Sequence, residues 1–331
     1  MTCPVNQASI TSPAPESISL DHDGAAPACT DGVDRFERIS GSAFIGLFAA
    51  ALLDQTMMPA VSAALEETGR IRNTPVPRGL RTATSAQIVF SGDAADRREE
   101  SARLLRLHRD VKGVDAGGNR YSALNPELWN WILISTFFMY RNAAVVISGM
   151  DFTDADNQAV WNHFREDVTD LQLPGRSRLV SDYRDLCNYY DNMVANRLAA
   201  TPTLETATSS LLHPPRPDFV PIMAAPAWAL VGPVAGHLAA VLGFGVMHPG
   251  ARALVPMKWT WRHDLEFSAL SFLMRSAYRI LPVAITDTPL TRARRKYEKL
   301  ITAYKGIGLT SFAPDHPRDG VSAASDICAR S

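Results

Sequence analysis

The apolar and polar positions of the chain repeat with a helical period almost from end to end. Residues 43–66 (AFIGLFAAALLDQTMMPAVSAALE) are built from Ala, Leu and Met, strong helix formers, with Pro59 placed to kink or divide the stretch. Over 94–111, Leu104, Leu107, His108 and Val111 fall at i, i+3, i+4 and i+7, which predicts an amphipathic helix with these four on its inner stripe. The following VDAGGNRYSALNPEL carries a Gly-Gly pair and an Asn-Pro, both turn signals. Asn125 then reads as an N-cap, with Pro126 at the first helical position. The helix it opens, through LWNWILISTFFMYRNAAVVIS, is apolar on nearly every side and so is expected to be buried. Further helices are expected from Thr153 to about Leu171, over SDYRDLCNYYDNMVANRL after the Pro174-Gly175 break, over 264–280 and over 290–304. No run of alternating strands and no internal repeat is present. The expected fold is all-α: a single helical domain of about ten or more helices.

Residues 1–33 and 313–331 break this pattern. They are rich in Ser, Thr, Asp and Pro, which predicts flexible tails around a structured body at 34–312. The first basic residue is Arg35, so the start lacks the basic region of a secretory leader and the arginines of a transit peptide. Four cysteines (Cys3, Cys29, Cys187 and Cys328) lie far apart without a CxxC pair, against a zinc-finger or disulfide-dense scaffold. A cytoplasmic setting is expected. With 33 basic against 34 acidic residues the chain lacks the basic surplus of a nucleic-acid binder.

From Phe219 to Ala251 there is no Asp, Glu, Lys or Arg, a length that could span a bilayer. Four prolines and five glycines interrupt it. The expectation is two buried or membrane-resting helices broken near Gly232–Pro233 and Met247–Gly250, with peripheral membrane contact through 219–251.

The common catalytic fingerprints (GxGxxG, GxxxxGK[ST], HExxH and GxSxG) are absent, as is the Glu-x-x-His repeat of a di-iron bundle. His108 stands out because it shares an apolar stripe. It reads either as a hydrogen-bonded core residue or as an iron ligand beside an apolar porphyrin wall. In PRGLRTAT, Arg78, Arg81 and Thr82 fall at i, i+3 and i+4 and share a helix face, either as a solvated start or as cations and a hydroxyl facing a site. There they would bind carboxylates, such as haem propionates, or polarise dioxygen. His237 and His248, inside the uncharged stretch, could face a ligand cavity, with burial and one hydrogen bond the plainer reading. His163, His213 and His263 sit in polar helices, helix starts or loops, and His22 and His316 in the tails.

The order of these motifs resembles the domain-of-unknown-function family 2236, which includes the rubber oxygenases (latex clearing proteins) and fungal MpaB-type oxygenases. That family's pattern is R-x-x-[KR]-T, an apolar run ending in Gly-Asp, H-x-x-V-x-G, a glycine turn, Y-x-A and D-P-x-x-x-x-W. Here it is met by Arg78, Arg81, Thr82, Gly92-Asp93, His108, Val111, Gly113, Tyr121, Ala123, Pro126 and Trp131. Further on, YRDLCNYYDNM, the WTW that begins at Trp259 and the RILP at Arg279–Pro282 fit the same likeness. The resemblance spans roughly residues 40–300 and implies an all-helical fold enclosing one b-type haem (iron). It makes His108 the proximal iron ligand, puts Arg78 and Thr82 in the haem site, and aligns Arg81 with a distal lysine. Tyr121 and Trp131 are expected to pack.

Three departures matter. Asn125 replaces an Asp, Leu133 stands where many members carry a second histidine, and Arg81, unlike a lysine, cannot lose its proton. The function expected is a haem b-dependent oxygenase acting on an apolar small molecule and dioxygen, with Arg81 and Thr82 catalytic. Oxidative cleavage, hydroxylation and desaturation are all compatible. The alternatives are a haem peroxidase or dehydrogenase-like enzyme, and a non-catalytic helical protein that binds lipid or sits on a membrane.

Overall fold

A computed structural model describes residues 31–69, 75–115, 117–173, 175, 178–218 and 220–308. The expected tails lie largely outside these residues, as does the Pro174 of the predicted break. The fold is all-α, with a single two-stranded hairpin among the described residues. Helix α1 (Asp31–Ser40) leads into a 3₁₀ helix at Ala43–Met57, followed by α2 (Pro59–Thr68). The chain bends by 106° between these last two, where Pro59 divides the stretch. Helices α3 (Pro75–Ser91) and α4 (Ala94–His108) come next, then β1 (Lys112–Val114) and β2 (Arg120–Ser122).

Helix α5 (Pro126–Ser148) forms the centre. Asn125 caps it by accepting the backbone N–H groups of Glu127 (2.9 Å) and Leu128 (3.4 Å). Trp131, Phe137, Ala143, Ala144 and Ile147 on α5 are wholly enclosed. Helices α6 (Asp154–Asp167) and α7 (Tyr183–Asn196) pack on it, and α8 (Pro202–Leu212) and α9 (Ala225–Val246) pack on each other and on the 3₁₀ helix. The short α10 (Pro249–Arg252), α11 (Trp261–Ile280) and the short α12 (Val283–Thr286) complete this compact unit, which ends at Thr288. Helix α13 (Pro289–Gly306) belongs to a second unit; it is basic along much of its length, with TRARRK in its first half.

The uncharged stretch differs from its expectation at one point. Pro233 does not break it: α9 runs through from Ala225 to Val246. The carbonyl that proline leaves without its helical partner belongs to Ala229, an exposed residue, so the lost bond falls on the uncovered side of the helix. The second break is found at Met247–His248. The C-terminal half of α9 is buried, and Gly243 lets it cross the 3₁₀ helix closely: a Cβ there would stand 2.5 Å from the Ala50 Cβ. The N-terminal half is uncovered, with Met223 just before it 90% exposed and Leu230 77%. Two helical segments, Pro126–Ser148 and Ile222–Val246, are long and apolar enough to cross a membrane by length and composition. The protein itself buries 72% of the first, which therefore reads as a core helix.

A second correction concerns α4. The stripe predicted to face inward does so only in part: Leu104 is half-buried against the core and His108 is half-buried, but Leu107 is exposed and Val111 lies beyond the helix end. The enclosed residues of α4 are instead Glu100 and Ser101. Glu100 takes both Arg103, through Nε at 2.7 Å, and the Ser85 hydroxyl from α3. The Arg103 guanidinium holds its carboxyl below the usual carboxylate range.

The core also encloses one acid. Asp54, on the 3₁₀ helix, accepts the Ser135 hydroxyl at 2.5 Å and the Tyr190 hydroxyl at 2.9 Å. The Tyr190 ring stacks on Trp131 with centroids 5.4 Å apart. Burial outweighs these hydrogen bonds and pushes the Asp54 carboxyl up to about 6 from 3.8. The folded protein therefore holds a proton that the unfolded chain has released between those two values. Asp54 should make stability fall as pH rises from 3.8 towards 6, by at most about 3 kcal/mol, and level off above. Denaturant unfolding across that range, compared with Asp54→Asn, checks this: the variant should lose that component of the slope.

Candidate functional site

Helices α3 and α4 form an antiparallel hairpin that gathers the predicted site residues at one end. The turn is Gly92-Asp93, and Asp93 caps α4 by accepting the N–H groups of Ala95 and Asp96, both at 2.9 Å. The contact from Ser85 to Glu100 sets the register of the two helices. Arg78 lies about two turns before Ser85, and His108 about two turns beyond Glu100, so Arg78, Arg81, Thr82 and His108 come to the open end of the hairpin. The first turns of α3 are uncovered there: Arg81 and Thr82 are exposed, and Arg78 is half-buried. Leu80 (58%), Leu107 (54%) and Val114 (60%) are also exposed, an unusual run of large apolar side chains beside cations.

His108 is the last residue of α4. Its Nδ1 lies 2.8 Å from the Leu104 carbonyl oxygen. A carbonyl can only accept, so Nδ1 carries the proton and Nε2 of the neutral ring keeps its lone pair. The ring also packs edge-on against Trp129 of α5, with centroids 5.3 Å apart, and Trp129 is itself anchored by its indole N–H to the Leu171 carbonyl at 2.6 Å. His108 is therefore oriented by one hydrogen bond and one aromatic contact, with one nitrogen available.

The motif residues after His108 hold this arrangement from behind. Gly113 pairs with Tyr121 in the β1–β2 hairpin, and a Cβ on Gly113 would meet the Tyr121 hydroxyl oxygen at 2.8 Å. That hydroxyl donates to Glu67 of α2 at 2.5 Å. Trp131 is wholly buried against Tyr190, and Leu133 is buried. A cavity of about 400 Å³ opens between Pro59, Tyr121, Asn125 and Arg197, and none of Arg78, Arg81, Thr82 and His108 lines it.

Two further histidines are held by acidic partners. His163 Nε2 lies 3.1 Å from Glu37 and 3.4 Å from Asp167. His248 Nε2 faces Asp191 at 3.2 Å while its Nδ1 accepts the Gly250 N–H, and burial pushes its pKa down. The sequence reading missed one grouping: His237 of α9 comes together with His263 and Glu266 of α11. The i, i+3 spacing of His263 and Glu266 was the available signal, but only folding brings His237 to it.

The family described as "ER-bound oxygenase mpaB/B'/Rubber oxygenase, catalytic domain" matches residues 37–276. The chain belongs to this family. It is thereby an enzyme of the oxygenase type, and the match spans the α3–α4 hairpin, α5 and most of α11. An uncharacterized protein of Mycobacterium bovis and one of Mycobacterium tuberculosis are similar to it, each 23% identical over 238 residues, covering 71% of this chain and 88% of the relative. No solved structure matches the chain.

The Asp93 cap closes the turn end of the hairpin. Asp93→Ala should cost about 1 kcal/mol of stability, since it leaves two N–H groups at the start of α4 without their acceptor. Thermal unfolding of the variant beside the wild type measures it.

Proposed function

We propose that this oxygenase works through one b-type haem held at the open end of the α3–α4 hairpin, with His108 Nε2 as the proximal ligand to iron. The observation that carries the reading is the His108 Nδ1 hydrogen bond to the Leu104 carbonyl. Ligating histidines are characteristically held this way, because the bond fixes the tautomer and raises the basicity of the other nitrogen. The surroundings suit the group. Exposed Leu80, Leu107 and Val114 offer apolar surface to a macrocycle, and Arg78 and Arg81 offer cations to its carboxylates. When bound, the haem would supply the redox chemistry with dioxygen.

In this reading the protein's own residues orient and bind. Arg78 would pair with a propionate, and Arg81, through its guanidinium, and Thr82, through its hydroxyl, would donate hydrogen bonds that polarise and orient dioxygen. The substrate is an apolar small molecule, and the reaction is an oxidation, either cleavage of a double bond or another oxygenation. Expressed with a haem precursor, the wild type should show a Soret band, and His108→Ala should lose it or shift it. No chromophore in the wild type overturns the haem reading; an unchanged spectrum in His108→Ala overturns the ligand.

A peripheral membrane contact is the second part of the proposal. It rests on the uncovered start of α9 and the turn before it, where Ile222, Met223, Leu230, Val231 and Val234 are all more than half exposed. The family description names ER-bound members, which agrees with such a contact. Sedimentation with neutral phospholipid vesicles should recover the wild type, and Met223→Ser/Leu230→Ser should reduce the bound fraction several-fold by removing buried apolar area. Equal recovery of both would overturn it.

A further inference from the structure

A second ligand set lies on α9 and α11, elements distinct from the hairpin that carries His108. His237 is the only titratable side chain on the 22 residues of α9. It points to neither water alone nor the core: its Nε2 lies 2.7 Å from Glu266 Oε2, and its ring centroid 5.8 Å from that of His263. One ring nitrogen from each histidine and one Glu266 carboxylate oxygen fall within 4.8 Å of one another. All three residues are half-buried, which leaves the cluster open to solution on one side.

The frame around the cluster is tight. His263 and Glu266 sit one turn apart on α11 and so share a face. Gly245 lets the two helices meet, since a Cβ there would run into the Phe267 ring. His263 is held in place by Thr260, whose hydroxyl lies 2.9 Å from Nδ1, and by the Trp259 ring, with centroids 5.3 Å apart. Nδ1 also accepts the Thr260 backbone N–H at 3.1 Å, so the ring is fixed to the turn that starts α11. The nearby charges are accounted for: Asp264 accepts the Trp259 indole N–H at 2.7 Å, and the Arg252 guanidinium lies over the Trp259 ring at 4.4 Å.

We propose that His237, His263 and Glu266 form a binding site for a divalent transition-metal ion. Two imidazoles and a carboxylate suit borderline ions of the zinc class and leave at least one position for water. Ligand atoms around such an ion stand roughly 3.3 Å apart at bond lengths of about 2.1 Å, and half-exposed side chains reach that spacing by rotation. The ion would replace the direct contact between His237 and Glu266 and tie α9 to α11. This assignment does not rest on the haem reading, because the two sites share no residue.

The experiment is calorimetric titration of the chelator-treated full chain with Zn²⁺ alone, beside His237→Ala, Glu266→Gln and His108→Ala. One equivalent should bind to the wild type and to His108→Ala, and the melting temperature of both should rise with zinc. Binding should be lost in His237→Ala and weaken by roughly tenfold or more in Glu266→Gln. The glutamine can still hydrogen-bond His237, so a weakening there is not a folding defect. No zinc uptake by the wild type, or uptake equal in the His237 and Glu266 variants, overturns the site. Loss of uptake in His108→Ala alone would move the metal to the hairpin and overturn it as well.

Discussion

Burial of α5 on all sides is the constraint on which the other helices depend. Its residues from Leu128 to Ile147 are apolar with few exceptions, and no single neighbour can cover such a helix. The 3₁₀ helix, α1, α6, α7 and α11 therefore pack around it, each giving up one face. Several of the polar groups carried inside are satisfied locally. Arg141 donates from Nε to Asn157 and from a terminal nitrogen to Asn142, both at 3.0 Å, and Ser135 reaches Asp54. Asp54 is the cost of that arrangement, an acid held largely by two hydroxyls in a place where its charged form is disfavoured.

The hairpin of α3 and α4 follows the opposite logic. Val89, Phe90, Leu104 and Leu105 pack it on the core, Ser85, Glu100 and Arg103 join its two helices through polar contacts, and Leu80 and Leu107 are left outside. The two ends of the hairpin thus divide the work. The Gly92–Asp93 end is closed by a cap, the Ser85–Glu100 contact sets the register, and Arg78, Arg81, Thr82 and His108 lie toward the far end.

The helices that were legible in the sequence are those whose ends carry chemical signals. Asn125-Pro126, Thr153 with Asp156 three residues on, and Asp182 before Tyr183 all cap where side-chain chemistry predicts. Helix α8 was not anticipated although Thr201-Pro202 marks its start, because its TLETATSSLL is only weakly periodic. Pro233 misled for a physical reason: a proline signals a lost hydrogen bond, but whether the helix breaks depends on whether water can reach the freed carbonyl. The stripe on α4 misled in the same way. Periodicity places Leu104, Leu107 and His108 on one face, while only the neighbours decide whether that face is covered.

Local order in the chain determined the all-helical class, the central buried helix and the prominence of His108, since each rests on residues close in sequence whose preferences are short-ranged. The tautomer of His108 is also nearly local, set by a carbonyl four residues earlier. The tertiary structure alone decided which faces meet water and which groups meet one another. Asp54 finds Tyr190, and His237 finds His263 and Glu266, across separations that no pattern in the sequence records. Contacts of that kind depend on the packing of whole helices, and their geometry exists only once the core has closed.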